Sequence, residues 1–185
     1  ELDIDGKTVC DIGAGTGRFS LLAAPRARLV IAIDGVPGLL ERLASRAKLL
    51  GCTNIAMRRA AFTALPLGDA TVDVAVACSA FTTEAPHGGD AAVDEAERIV
   101  RPGGEVAIIW PEDPRWLQAR GYEYIQMRAD GAVHFRDVAT AYRLCAEYYS
   151  ESAAEWVRAS RTADVPYSVL GVRPPADMCI RRIPG

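Results

Sequence analysis

The sequence predicts a doubly wound α/β domain: a mostly parallel sheet of about seven strands with helices on both faces. Three features carry that expectation. Short, nearly continuous apolar runs recur through the first 110 residues. Helix-length amphipathic segments separate them. A glycine-rich turn, GAGTG, closes the first run. Apolar runs without polar alternation mark strands buried on both faces of a parallel sheet. Strand–helix alternation then implies βαβ units with right-handed crossovers, a Rossmann-like architecture.

The runs are KTVCDI (7–12), RLVIAID (28–34), NIAMRRA (54–60), TVDVAVACS (71–79) and GEVAIIW (104–110). The first intervening segment, GRFSLLAAPRA, follows the glycines directly. The second, PGLLERLASRAKLLG, places Pro37 in its first turn and Gly51 just past its end, the usual punctuation of a helix. Its expected apolar stripe is Leu39, Leu40, Leu43, Ala44, Ala47 and Leu50. The third, GGDAAVDEAERIVRPGG, predicts Asp94–Arg98 and Glu97–Arg101 pairs on its outer side and a stop at Pro102-Gly103-Gly104. Beyond Trp110 the alternation fades. PRWLQARGYEYIQM reads as a short helix and a strand, residues 136–160 as helical and rich in aromatics, and 165–183 as Pro-rich and then strand-like.

A length of 185 residues fits one domain, with residues 5–112 as a regular half and 113–185 as an elaborated one. Half of the residues are hydrophobic and the net charge is -3. No clustered basic face points to nucleic acid. Five cysteines without a CxxC pair suggest buried thiols in a reducing compartment, and no metal is expected. No membrane-length run or leader is visible, so a cytoplasmic protein is expected; the high Ala and Arg content suggests a bacterial source, and a homodimer is the assembly considered. The sequence opens at Glu1, almost on the first strand. A further segment in front of it, acting as a lid, is part of the expectation.

Gly13, Gly15 and Gly17 end the first strand, where open α/β sheets bind ligands. Bare backbone there lets a ligand approach closely. A P-loop is ruled out, because no Gly-Lys-Ser/Thr follows. In the dinucleotide pattern G-x-G-x-x-G the third glycine would fall at Arg18; here it comes one residue early. Asp34 ends the second run. A carboxylate at that tip accepts both hydroxyls of a ribose, or else caps the following helix. With the glycines beside it, an adenosine-bearing ligand is the stronger reading.

These residues resemble class I S-adenosylmethionine-dependent methyltransferases, in particular the small-molecule group that includes ubiquinone/menaquinone-type enzymes. VCDIGAGTGRFS is similar to the family's first motif and IAIDGVP to its acidic second-strand ending. LPLGDATVDVAVA and AERIVRPGGEVAIIW are similar to its fourth- and fifth-strand regions. The resemblance implies S-adenosyl-L-methionine as cofactor, with S-adenosyl-L-homocysteine as product. It places Gly13, Ala14 and Gly15 under the methionine part, with Gly17 also among the cofactor-binding residues, Asp11 near its ammonium, and Asp34 on the ribose diol. Gly35 and Val36 would border the adenine. Where relatives carry Gly-Asp before Leu-Pro, this sequence has Ala60 and Ala61, leaving Phe62 as an apolar wall. Cys78 and Ser79 would face the transfer site.

The acceptor is then a small molecule, methylated at oxygen or carbon. His87 and Glu84, just past the fourth strand, are the candidate general bases; an exposed Pro/Gly loop position is the plainer reading of His87. His134 reads as structural. The aromatics from Trp110 to Tyr167 either line an acceptor pocket or fill a core. Two rival functions share parts of the pattern. One is an NAD(P)-dependent oxidoreductase. The other is a cofactor-binding or interaction protein that keeps the methyltransferase fold without turnover, a reading supported by Ala61.

Overall fold

The fold is described from a computed structural model, covering residues 2–84, 88–126, 131–172 and 177–185. His87 lies outside the described residues. The chain forms two compact units, Glu1–Ile125 with Asp177–Gly185, and Gln126–Ala176.

The first unit contains β1 (Thr8–Ile12), α1 (Arg18–Ala23), β2 (Leu29–Asp34), α2 (Pro37–Leu49), β3 (Ile55–Arg59), β4 (Val72–Cys78), α3 (Gly89–Ile99), β5 (Val100–Ile109), α4 (Pro114–Ala119) and β6 (Glu123–Gln126, whose last residue falls in the other unit). Five of these strands and the C-terminal strand of the chain, Asp177–Arg182, make a sheet that β6 completes. Its order is β3-β2-β1-β4-β5, then the C-terminal strand, then β6. The first five run parallel and the C-terminal strand pairs antiparallel to β5. Strand order reverses between β1 and β4, the switch point where such sheets open a crevice.

Alternation across the pleat buries both faces. From β1, Cys10 and Ile12 point into a cluster with Ala92, Val93, Ala96 and Ile99 of α3. Val9 points the other way, among Ala23 of α1, Ala24 just past it and Val30 of β2. Ala32 of β2 meets Leu40, Leu43 and Ala47 of α2 on that second face. Seven strands, parallel apart from the C-terminal one against β5 among the pairs described, with helices on both faces, match the predicted class.

Local departures have physical causes. On α2 the buried stripe narrows to Leu40, Leu43 and Ala47, while Leu50 is 65% exposed. The expected i,i+4 pairs of α3 do not form. Arg98 turns to Glu95 and Asp69 instead, and also donates to the carbonyls of Leu65 and Leu67. Glu95 in turn accepts from the Leu65 amide at 2.7 Å. Arg98 is thus spent on pinning the Leu65-Pro66 turn to α3. Asp94 pairs with Arg120, Glu97 with Arg181, and Arg101 with Asp73. Asp94, Glu97 and Arg101 thus pair with charges from other elements. Arg98 keeps a same-helix partner at i−3, Glu95, and adds Asp69 and two backbone carbonyls outside the helix. Pro102-Gly103-Gly104 does not end α3: the helix stops at Ile99, and Val100 already pairs with Val72 in a bulged start to β5. Gly104 is required there because a Cβ would strike the carbonyl of Asp73.

The second unit holds β6's last residue and β7 (Ala132–His134), α5 (Val138–Tyr148), α6 (Glu151–Ser160), β8 (Asp164–Pro166) and α7 (Tyr167–Leu170). The C-terminal strand is β9. Residues 136–160, expected to be helical, form two helices. Asp137 caps α5 through the Thr140 amide, and Ser150 caps α6 through the Ala153 amide, which breaks the run at Tyr149. Ala141, Cys145, Ala154, Val157 and Val165 form the core of this unit. His134 meets Asp164 at 2.7 Å across the antiparallel β7–β8 pair, as a structural role predicts.

Candidate functional site

The site lies at the carboxyl ends of β1, β4 and β5. A cleft of about 330 Å³ opens there. The glycine turn supplies one wall through Gly13, Ala14, Gly15 and Thr16, and α1 adds Arg18 and Phe19. Asp11 sits at the end of β1, Cys78 and Ser79 at the end of β4, and Trp110 just past β5. Parallel pairing sets this convergence: Asp11 is opposite Val76 and Ile12 opposite Ala77, so β1 and β4 end side by side.

The three glycines differ in what they do. A Cβ on Gly13 would collide with the Ala80 Cβ and press on the Phe62 ring. One on Gly17 would collide with Leu43 of α2. Those two make room for the protein itself. Gly15, at φ +54°, has nothing within 4 Å of where a Cβ would stand. Its bare face looks onto open space.

Asp34 is joined to this turn. Its Oδ2 accepts from the Gly15 amide at 2.9 Å and its Oδ1 from the Val36 amide at 2.8 Å. The carboxylate does not cap α2, whose N-cap is Val36 without a side-chain bond. It clamps the glycine turn to the tip of β2. Each oxygen retains a lone pair beyond the amide it accepts, and Asp34 stays 7% exposed. Gly35 stands beside the Ala60 carbonyl at the neighbouring strand ends, and Val36 is exposed.

Asp11 is buried, and Ser20 donates to its Oδ2 at 2.5 Å. Burial pushes its carboxyl up to about 6, against the lowering effect of the Ser20 bonds. Burial likewise raises the Cys78 thiol. Phe62 packs on Phe81 with ring centroids 5.6 Å apart, and Ala61 is exposed.

Two residues of the cleft hold unusual backbone. Ser79 (φ 52°) and Trp110 (φ 53°) both adopt the left-handed conformation without being glycine. The Ser79 amide donates to Ile109 and the Trp110 amide to Asp177, which hold them there. Such strain concentrates at functional positions. Sequence reading placed Ser79 and gave Trp110 as one of the aromatics that either line an acceptor pocket or fill a core; its left-handed conformation has no sequence signature and was missed. Thr16, Arg18 and Phe19 were also missed as lining residues. Glu84, by contrast, is exposed in the segment after β4 and does not line the cleft. The aromatics divide: Trp110 lines the cleft, Tyr122 is buried, Phe135 and Trp156 pack in the second unit's core, and Tyr148 is exposed. Among the described residues no cluster of three or more metal-ligating side chains occurs, and no helix is long and apolar enough to cross a membrane.

A switch-point cleft with a clamped acidic strand tip and an open glycine defines a nucleoside-cofactor domain. Comparison narrows the class. Residues 9–104 match the methyltransferase domain family, and the chain belongs to that family. An uncharacterized protein of Mycobacterium tuberculosis is 36% identical over 104 residues, 56% of this chain and 37% of that protein. The demethylmenaquinone methyltransferase of Clavibacter sepedonicus is 31% identical over 157 residues, 83% of this chain and 60% of that enzyme. The chain therefore spans 37% and 60% of these relatives' own lengths, less than two thirds of either. In structure it is similar to a SAM-dependent methyltransferase of Aquifex aeolicus, with a TM-score of 0.56 and 22% identity over 66% of this chain and 76% of that one. That likeness supports the fold.

Proposed function

We propose that this chain transfers a methyl group from S-adenosylmethionine to an oxygen or carbon of a small-molecule acceptor. The observation that carries the proposal is the Asp34 clamp: a strand-tip carboxylate fixed by two amides, with free acceptor capacity, next to the one turn glycine that faces open space. These residues fit the cofactor. Asp34 takes the ribose diol. Gly13, Ala14 and Gly15 pass under the methionine part, with Gly17 holding the turn on α2. Gly35, Val36 and Phe62 border the adenine, with Ala61 leaving that edge without a carboxylate.

The bound sulfonium supplies the activated methyl group. The chain's own contribution is placement and the exclusion of competing groups. Asp11, braced by Ser20, offers negative charge at the cleft floor. Cys78 keeps its proton because burial raises its thiol, so it does not compete as a nucleophile. Ser79 and Trp110 are held in fixed, strained geometry at the cleft. For a phenol, enol or acidic carbon, His87 is the proposed proton acceptor, since Glu84 does not line the cleft.

Calorimetry tests this directly. The protein is expected to bind S-adenosylhomocysteine and not NADH, and Asp34→Ala is expected to weaken that binding by about 1–3 kcal/mol. Equal affinity in wild type and variant, or preference for NADH, contradicts the proposal.

A further inference from the structure

We infer that the outer face of α2 carries a second binding site, for a phosphate-type oxyanion, and that through Thr16 this site tunes the glycine turn. The anion site stands apart from the proposed cofactor reading; the coupling rests on it.

A second cavity, of about 750 Å³, lies beside the glycine turn. Gly38, Glu41, Arg42, Ser45 and Arg46 line it from α2, and Thr16 from the turn. Spacings of three and four put the α2 residues on one helical face, opposite the buried Leu40, Leu43 and Ala47. The plain reading of such a face is solvated charge. Three observations go further.

Arg46 is already fixed. Its Nη1 donates to the Thr16 carbonyl at 2.7 Å, which holds a guanidinium at the cavity wall with other N–H donors unspent. The cations are also not neutralised. Arg42 lies one turn before Arg46, a like-charged pair that costs helix stability. Among the described residues Arg42 has no hydrogen bond or ion pair, and Arg46 meets no carboxylate. Arg98, Arg101, Arg120 and Arg181 of the same unit all do. Finally, a hydroxyl is set to donate. Thr16 Oγ1 accepts from Arg46 at 3.4 Å, which leaves its own O–H free, whereas Ser45 spends its O–H on the Glu41 carbonyl.

Two guanidiniums and a hydroxyl suit an oxyanion with several acceptor oxygens. Glu41 lines the cavity too and opposes the anion. One surplus positive charge therefore fits a small oxyanion and not a nucleic acid, which needs a clustered basic face. Thr16 also lines the cofactor cleft, next to Gly15, whose amide is held by Asp34. An anion that steadies Arg46 keeps the turn formed before a cofactor arrives, and such preorganisation raises affinity.

Calorimetry with inorganic phosphate, against chloride at equal ionic strength, tests the site. Saturable binding with a midpoint of about 1 mM is expected, since exposed charge pairs are individually weak. Arg42→Met should weaken it by about 10-fold, and Glu41→Gln should tighten it by about 3-fold. Thermal unfolding no lower than that of wild type shows an intact fold in both variants. No saturable binding in wild type, undiminished binding in Arg42→Met, or no tightening in Glu41→Gln overturns the inference. A parallel titration reads the coupling. With saturating phosphate, S-adenosylhomocysteine should bind about 5-fold more tightly. Unchanged affinity overturns the coupling. Failure of S-adenosylhomocysteine to bind in either condition removes the cofactor reading, while the phosphate titration still decides the anion site.

Discussion

Single atoms separate the three turn glycines, and substitution should expose the difference. Gly13→Ala and Gly17→Ala place a methyl group into Ala80 and Leu43, so each should lower stability by about 1–3 kcal/mol in denaturant titration. Gly15→Ala meets no atom, leaving only the cost of its left-handed backbone, about 1 kcal/mol. Gly15→Val should abolish S-adenosylhomocysteine binding in a protein that still folds. Asp11 makes a separate prediction. Its folded carboxyl titrates near 6, above the ordinary 3.8, so the folded state holds a proton that the unfolded chain has released. Stability therefore falls as pH rises between about 4 and 6, by roughly 3 kcal/mol, and stays lower above that window. Asp11→Asn keeps an acceptor for Ser20 and should flatten the decline; an unchanged stability–pH curve would contradict the burial argument. The sequence made Asp11, Asp34 and the glycines visible because Gly and Asp interrupt apolar strand runs and here fall at the ends of two of them. It did not show that Asp34 clamps Gly15, a contact between residues 19 apart.

The elements are held in place by caps and by arginines that reach between them. Ser150 separates α5 from α6, so Ser150→Ala should destabilise the second unit by about 1 kcal/mol, read as faster amide exchange in α6. No change in exchange would mean that packing alone sets the boundary. Arg98→Ala leaves the Leu65 and Leu67 carbonyls and Glu95 without their partner. Increased proteolysis at residues 65–70 is the expected result, and an unaltered digestion pattern would show the turn to be self-supporting. Strands were legible because those buried on both faces carry long apolar runs. Ion pairs on α3 were not, since helical spacing says nothing of carboxylates arriving from other elements. The divided 136–160 region hid its break because Ser150 is an ordinary residue until its hydroxyl caps a helix.

Across the molecule, the cofactor half was readable because its glycines, acidic tips and turns follow one another in fixed order along the chain. The far wall of the cleft was not, because it depends on backbone strain at Ser79 and Trp110 and on side chains scattered in sequence. A ligand that binds only the folded state stabilises it by mass action, by about 2.7 kcal/mol at a hundredfold excess over Kd. S-adenosylhomocysteine should thus raise the melting temperature of the first unit's transition, and no shift at saturating ligand would contradict a site built from folded strand ends. The most direct test is a crystal structure with S-adenosylhomocysteine bound. The ribose diol should lie within hydrogen-bonding distance of the Asp34 carboxylate, with the amino-acid tail over Gly15. A ligand seated elsewhere, or a diol turned away from Asp34, would contradict the account.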